Sequence, residues 1–140
     1  MTEKVALVLV ADDDQDFLEM TRGVLETGGY RVACARDAQA ALEMVMKEKP
    51  QLVITDLMMQ AMDAGFSLAR KIKELPGCSE LPVIIVTAAA SRLGYDFAPR
   101  TPEDLAAMRA DAFFEKPVPP ETLLAKIADL LRDRGKTDDQ

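Results

Sequence analysis

Apolar positions along the 140-residue chain change their period repeatedly, and the changes divide it into short alternating elements. Compact runs rich in β-branched residues stand at Val5–Val10, Arg31–Ala35, Leu52–Thr55, Val83–Thr87 and Ala112–Phe114. They have the length and composition of buried strands. Between them the apolar residues recur at helical spacing: Phe17, Leu18, Val24 and Leu25; Ala41, Leu42, Val45 and Met46; Phe66, Leu68, Ala69 and Ile72; and Leu123, Leu124, Ile127, Leu130 and Leu131. Each set predicts an amphipathic helix with one face turned to a core. Turn chemistry sits at the breaks: Gly28-Gly29, Lys49-Pro50 and Pro76-Gly77 close the first three helices, and Pro119-Pro120 opens the last.

Strands alternating with helices imply a parallel sheet, since parallel neighbours need right-handed crossovers that lay helices on both faces. The uninterrupted apolar run Val5–Val10 suits a central strand. The stretch Ala88–Asp111 contains Gly94, Pro99 and Pro102 and reads as a loop followed by a short helical pattern from Glu103 to Arg109. The last helix is expected to end near Arg134, giving one domain over residues 1–134 and a polar tail over 135–140. A chain of this length can bury one core without staples and leaves no room for a second domain.

Charge narrows the partners. The formal net charge is −7, and the 17 Lys and Arg are scattered rather than gathered into a stripe, so direct nucleic-acid binding is not expected. No apolar run approaches the roughly 18 residues of a membrane span, and Met1-Thr2-Glu3-Lys4 leads straight into a strand-like segment. A cytoplasmic protein without membrane insertion is therefore expected. Cys34 and Cys78 lack metal-type spacing and read as reduced thiols. The chain has no histidine, so any chemistry must run on carboxylates, hydroxyls and amines.

In open α/β sheets ligands gather beyond the carboxyl ends of the strands, where strand order reverses. The first expected strand runs into Asp12-Asp13-Asp14, the third into Asp56, the fourth into Thr87, and the fifth, by way of Glu115, into Lys116-Pro117. Two carboxylates about 4 Å apart repel by roughly 4 kcal/mol at an effective dielectric near 20, so Asp12, Asp13 and Asp56 together need a cation or raised pKa values. Oxygen-only donors suit Mg2+, which commonly bridges carboxylates to a phosphoryl oxygen. Lys116 and Thr87 can supply a point charge and a hydrogen-bond donor to such a group. Asp14 and Asp16 read as the N-cap and first-turn carboxylates of the next helix. A one-residue shift, making Asp13 and Asp14 the metal pair, stays open, although the apolar strand ends at Ala11.

Four segments, Val8–Asp14, Leu52–Met59, Val83–Ala88 and Phe114–Pro117, resemble in order the four signatures of response-regulator receiver domains of two-component signalling, in the single-domain, chemotaxis-regulator-like form. The likeness covers nearly the whole chain. It implies a flavodoxin-like (βα)5 fold, a doubly wound parallel five-stranded sheet of order 2-1-3-4-5. It also implies a stand-alone receiver that takes a phosphoryl group on Asp56 from a phosphohistidine donor in a Mg2+-dependent reaction. By resemblance the metal ligands are Asp12, Asp13, Asp56 and the Met58 backbone carbonyl, and Thr87 and Lys116 contact the phosphoryl oxygens. Thr87 and Phe113 form the switch, and the bond before Pro117 is cis. Phe113 stands where the commoner Tyr would carry a hydroxyl, so switching there would rest on packing alone; a plain core role for this ring is the competing reading.

The implied partners are a sensor histidine kinase or a histidine phosphotransfer protein, and a downstream protein target. The target would be read by the face made of the expected Glu103–Arg109 helix, the fifth strand and the last helix. The protein would be a monomer or a weak phosphorylation-dependent dimer. It would be a phosphoacceptor that catalyses only its own phosphorylation and dephosphorylation, not an enzyme with other substrates.

Gln60 stands where the family usually has Pro, and Met62-Asp63-Ala64-Gly65-Phe66 is one residue longer than the usual Asp-Gly turn. These departures leave room for a receiver-like adaptor that works without phosphorylation. A second rival, a haloacid-dehalogenase-like phosphatase, would use Asp12-Asp13-Asp14 as its Asp-x-Asp. It would need a further acidic pair on a strand after Lys116, where the sequence offers only Glu121, Asp129, Asp133 and tail aspartates. Met44, Met46, Met58, Met59 and Met62 read as core filler and loop lining.

Overall fold

The computed structural model describes residues 6–56, 64–87, 111–116 and 118–138. Its strands are β1 (Leu7–Ala11), β2 (Arg31–Ala35), β3 (Leu52–Asp56), β4 (Val83–Thr87) and β5 (Ala112–Glu115). The described helices are α1 (Gln15–Thr27), α2 (Ala38–Glu48), α3 (Ala64–Glu74) and α4 (Pro120–Asp138). The strands form one parallel sheet in the order β2-β1-β3-β4-β5, the flavodoxin-like arrangement that the resemblance implied. β1 ends at Ala11, where the apolar strand was expected to end, and is paired on both sides there, with Ala35 of β2 and Thr55 of β3. The expected Glu103–Arg109 helix lies outside the described residues.

The boundaries of α1 and α2 have local causes. Asp14 sits in extended conformation before α1, and its carboxylate accepts the Asp16 and Phe17 N–H groups. Asp37 does the same for α2, accepting the Ala40 N–H at 2.7 Å. These side chains satisfy donors that the helix itself leaves unpaired. At the far end of α1, Gly29 takes a φ of 96°, a region that costs a residue without Cβ nothing. Beside it, a Cβ on Gly28 would come within 2.8 Å of a terminal methyl of Leu124 on α4, so a side chain there would have to push that methyl aside. Lys49 ends α2 in the left-handed region at φ 53°, and Pro50 bars continuation. α4 runs four residues beyond the expected end at Arg134, because Gly135 weakens a helix without stopping it, whereas a proline would.

The sheet separates two apolar layers. On one face Phe17, Leu18 and Leu25 of α1 and Leu123 and Ile127 of α4 pack with Val8, Val10, Leu52, Ile54, Ile84 and Val86. On the other, Ala41 and Val45 of α2 and Leu68, Ala69 and Ile72 of α3 pack with Leu9, Ala11, Val53 and Val83. Residues alternate between layers along each strand, as the period of two requires. Met46, expected on the buried face of α2, is instead 55% exposed. Ala41 and Val45 share a stripe at i, i+4, and Met46 is a further 100° round the helix.

Polar clasps fix the amino-terminal edge. The Leu7 N–H donates to Gln51 Oε1 at 2.6 Å, and the Gln51 N–H donates back to the Leu7 carbonyl at 2.8 Å. Asp111, just before β5, accepts both the Val83 N–H and Lys73 Nζ at 2.8 Å, while its own N–H donates to the Val83 carbonyl at 2.7 Å. Lys73 thereby ties the end of α3 to the start of β4 and β5.

Candidate functional site

Sheet register assembles the carboxyl edge as a staircase. Ala11 is level with Thr55, so Asp12 emerges beside Asp56 at the point between β1 and β3 where strand order reverses. Asp56 is level with Val86 and Thr87 with Glu115, so Thr87 and Lys116 follow at successive steps on the far side. Asp12 and Asp56 have the strand parity of Val10 and Ile54, whose side chains lie in the layer of α1 and α4.

The acidic trio closes as the sequence spacing requires. Carboxylate oxygens of Asp12, Asp13 and Asp56 lie within 4.8 Å of one another, with Asp13 exposed and the other two buried. Lys116 reaches over them: its Nζ is 2.8 Å from Asp12 Oδ2 and 3.3 Å from Asp56 Oδ2. The same ammonium lies 4.0 Å from the centroid of the Phe17 ring. Asp12 Oδ1 accepts the Asp14 N–H at 2.8 Å, and the Asp12 N–H donates to the Ala35 carbonyl. The turn into α1 therefore orients the metal-type carboxylate and caps the helix at once.

Burial pushes the Asp12 carboxyl up to about 6, against the opposing pull of Lys116 and the Asp14 N–H and with some help from the Asp56 charge. Burial also works against the Lys116 charge, but its bonds to Asp12 and Asp56 outweigh that, and the amine is held above the ordinary lysine value. Fully ionised, three carboxylates and one ammonium leave two uncompensated negative charges, with two of the carboxylates buried. Clustered oxygen donors with that charge fit a small hard dication, which removes the reason for Asp12 to take up a proton.

Of the residues expected at this site, the fold brings Asp12, Asp13, Asp56 and Lys116 together. Thr87 ends β4 at the same edge. Phe113 lies in β5 opposite Ile85 and is half-buried, whereas its neighbour Phe114 packs on the layer of α1 and α4. Met58, Gln60 and Pro117 lie outside the described residues, and with them the carbonyl ligand, the loop departure and the cis bond. Asp14 holds the expected N-cap. Phe17 is the site neighbour that the sequence did not single out. Its helical spacing marks it as core, and nothing local shows which cation its ring meets. The thiols of Cys34 and Cys78 are free and half-buried.

A family model for the response regulator receiver domain matches residues 8–128. The chain belongs to the response-regulator receiver family. An uncharacterised 14.6 kDa protein of Leptolyngbya boryana is 36% identical over 122 residues, which are 86% of each chain. Response regulator MprA of Mycobacterium leprae is 35% identical over 94% of this chain but only 53% of its own length, so this receiver spans about half of the MprA relatives it matches. Among solved structures, a CheY-like receiver domain from Methanospirillum hungatei superimposes with a TM-score of 0.79 at 28% identity, over 96% of this chain and 99% of that one. Chemotaxis response regulator CheY4 of Vibrio cholerae gives 0.76 at 26% identity, over 91% and 99%. Receivers of this family are phosphoacceptor signalling domains that work with histidine kinases or phosphotransfer proteins and pass the signal to a target, and they bind Mg2+ at an acidic pocket. No described helix is long and apolar enough to cross a membrane.

Proposed function

We propose that this receiver works as a stand-alone, cytoplasmic response regulator: it accepts a phosphoryl group on Asp56 from a phosphohistidine donor, and partner binding changes as a result. The observation that carries this reading is the Lys116 ammonium, shared between Asp12 at 2.8 Å and Asp56 at 3.3 Å beside a third carboxylate. In the transfer an Asp56 carboxylate oxygen forms a bond to phosphorus as the phosphorus–nitrogen bond breaks, and the departing imidazole takes up a proton from water. Asp12, Asp13, Asp56 and the Met58 carbonyl would hold Mg2+, whose charge offsets that of the phosphoryl oxygens. Lys116 carries a point charge to one of those oxygens and Thr87 a hydroxyl to another. Thr87 and Phe113 then serve as the switch, with the readout on β5, α4 and the segment before β5. The bond before Pro117 is cis on this reading. The domain takes in α4 through Asp138 rather than ending at Arg134, and its phosphorylation and dephosphorylation are its own catalysis.

Intact-mass measurement after incubation with acetyl phosphate and Mg2+ tests the reading. One phosphoryl adduct is expected on the wild type, and none on Asp56→Asn or in the presence of a chelator. An unmodified wild type would favour an adaptor that works without phosphorylation. Turnover of added phosphomonoesters that requires Asp12 and survives Asp56→Asn would favour a phosphatase.

A further inference from the structure

The described contacts of the Lys116 ammonium fall into two kinds. Asp12 and Asp56 are carboxylates that a metal ion would also claim, and Asp56 is the group proposed to carry the phosphoryl. A metal ion and a phosphoryl group would both compete with the ammonium for these oxygens. The third contact is the face of Phe17, with the ammonium 4.0 Å from the ring centroid. An aromatic face attracts a cation through its quadrupole, most strongly when both are shielded from water. Both are shielded here: Phe17 is 8% exposed and the Lys116 side chain 15%.

The ring is also held from several directions. It stands in the first turn of α1, where its N–H donates to the capping Asp14 carboxylate. It belongs to the core layer that includes Val86, Leu123 and Ile127, with Val118 packed against that layer. It therefore forms part of the frame between α1, the end of β4 and the turn from Lys116 into α4. A cavity of about 300 Å³ lined by Phe17, Met20, Val24, Val118 and Pro119 lies alongside. The ring thus borders a cavity on one side and carries the ammonium over its face.

We propose that Phe17 is a positioning residue for phosphoryl transfer: its ring is the platform that keeps the Lys116 ammonium at the site while Asp12 and Asp56 are engaged by metal and phosphoryl group. This rests on Asp56 being the phosphoacceptor. It assigns Phe17 no contact with the reacting atoms, since it acts through Lys116.

The test compares Phe17→Leu, which keeps apolar bulk but loses the π face, with Phe17→Tyr, which keeps the face. Two quantities are read: the initial rate of adduct formation with acetyl phosphate and Mg2+, and the NMR shift of the Lys116 ε-protons, which a ring face moves upfield. Phe17→Leu is expected to slow adduct formation by about three- to tenfold, the scale of a partly desolvated cation–π contact, and to lose the upfield shift. Phe17→Tyr is expected to retain both. If Phe17→Leu does not fold, Phe17→Met fills the space with a flexible apolar chain and takes its place. A leucine or methionine variant that is phosphorylated at the wild-type rate overturns the proposal while leaving Asp56 as acceptor intact. So does equal slowing by Leu and Tyr with the upfield shift kept in Tyr, which would mean that the ring serves only packing. A wild type that takes no phosphoryl group while still showing the upfield shift removes the acceptor reading itself, and the role of Phe17 with it.

Discussion

A carboxyl group stripped of water keeps its charge only as far as its neighbours replace the lost hydration, and at Asp12 they replace it incompletely. Its side chain is fully buried, and its proton is held until about pH 6, where an unfolded chain would release it near 3.8. Between those values the folded state binds a proton that the unfolded state has lost. The contribution of this group to stability is therefore greatest at low pH, falls as pH rises through the interval, and is level above it. Its size is on the order of a few kcal/mol, since one pKa unit is worth about 1.4 kcal/mol. In metal-free protein, stability measured by urea denaturation should decline from pH 5 to pH 7.5 more steeply in wild type than in Asp12→Asn. Mg2+ should raise the wild-type midpoint at pH 7.5 and do little at pH 5, because cation and proton compete for the same oxygens. Equal slopes in the two proteins would show that Asp12 is not the group that titrates. At this scale the acidic residues were readable from sequence, since Asp12, Asp13 and Asp56 follow apolar runs. The carboxylates that hold Lys116 were not: Asp12 and Asp56 lie 104 and 60 residues away from it along the chain.

The turn from β1 into α1 joins two tasks in one element. Asp14 caps the helix with its carboxylate, while its backbone N–H donates to Asp12 Oδ1. Replacing Asp14 by Ala should cost about 1 kcal/mol in urea denaturation, and the Mg2+-induced rise in stability should persist, because the backbone donor remains. Loss of the Mg2+ response in that variant would revive the frame in which Asp13 and Asp14 are the metal pair. Elements were legible wherever short-range chemistry decides them: β2 and β4 fall on the expected residues, and the Gly28-Gly29 and Pro119-Pro120 signals mark real ends. A boundary set by the absence of a stop was less so. α4 passes Arg134 because nothing there breaks it.

On the scale of the whole molecule, two apolar layers pressed on one sheet hold the carboxyl edge in place. Ile127 of α4 is fully buried in the layer that also contains Phe17. Its replacement by Ala should destabilise the protein by about 2–5 kcal/mol, whereas Met46→Ala, at an exposed position, should stay within about 0.5 kcal/mol. Thermal or urea unfolding of both variants checks the contrast, and comparable losses would contradict the observed burial. The sequence by itself determined the alternation of strands and helices, the parallel sheet and the acidic strand ends, because hydrophobic period, capping residues and turn residues act over a few neighbours. Only the tertiary structure decided that Lys116 rests between Asp12 and Asp56 over the face of Phe17, that Asp111 clasps β4 and α3, and that Met46 faces water. Those outcomes depend on sheet register and helix rotation, and both follow from how distant segments share one core.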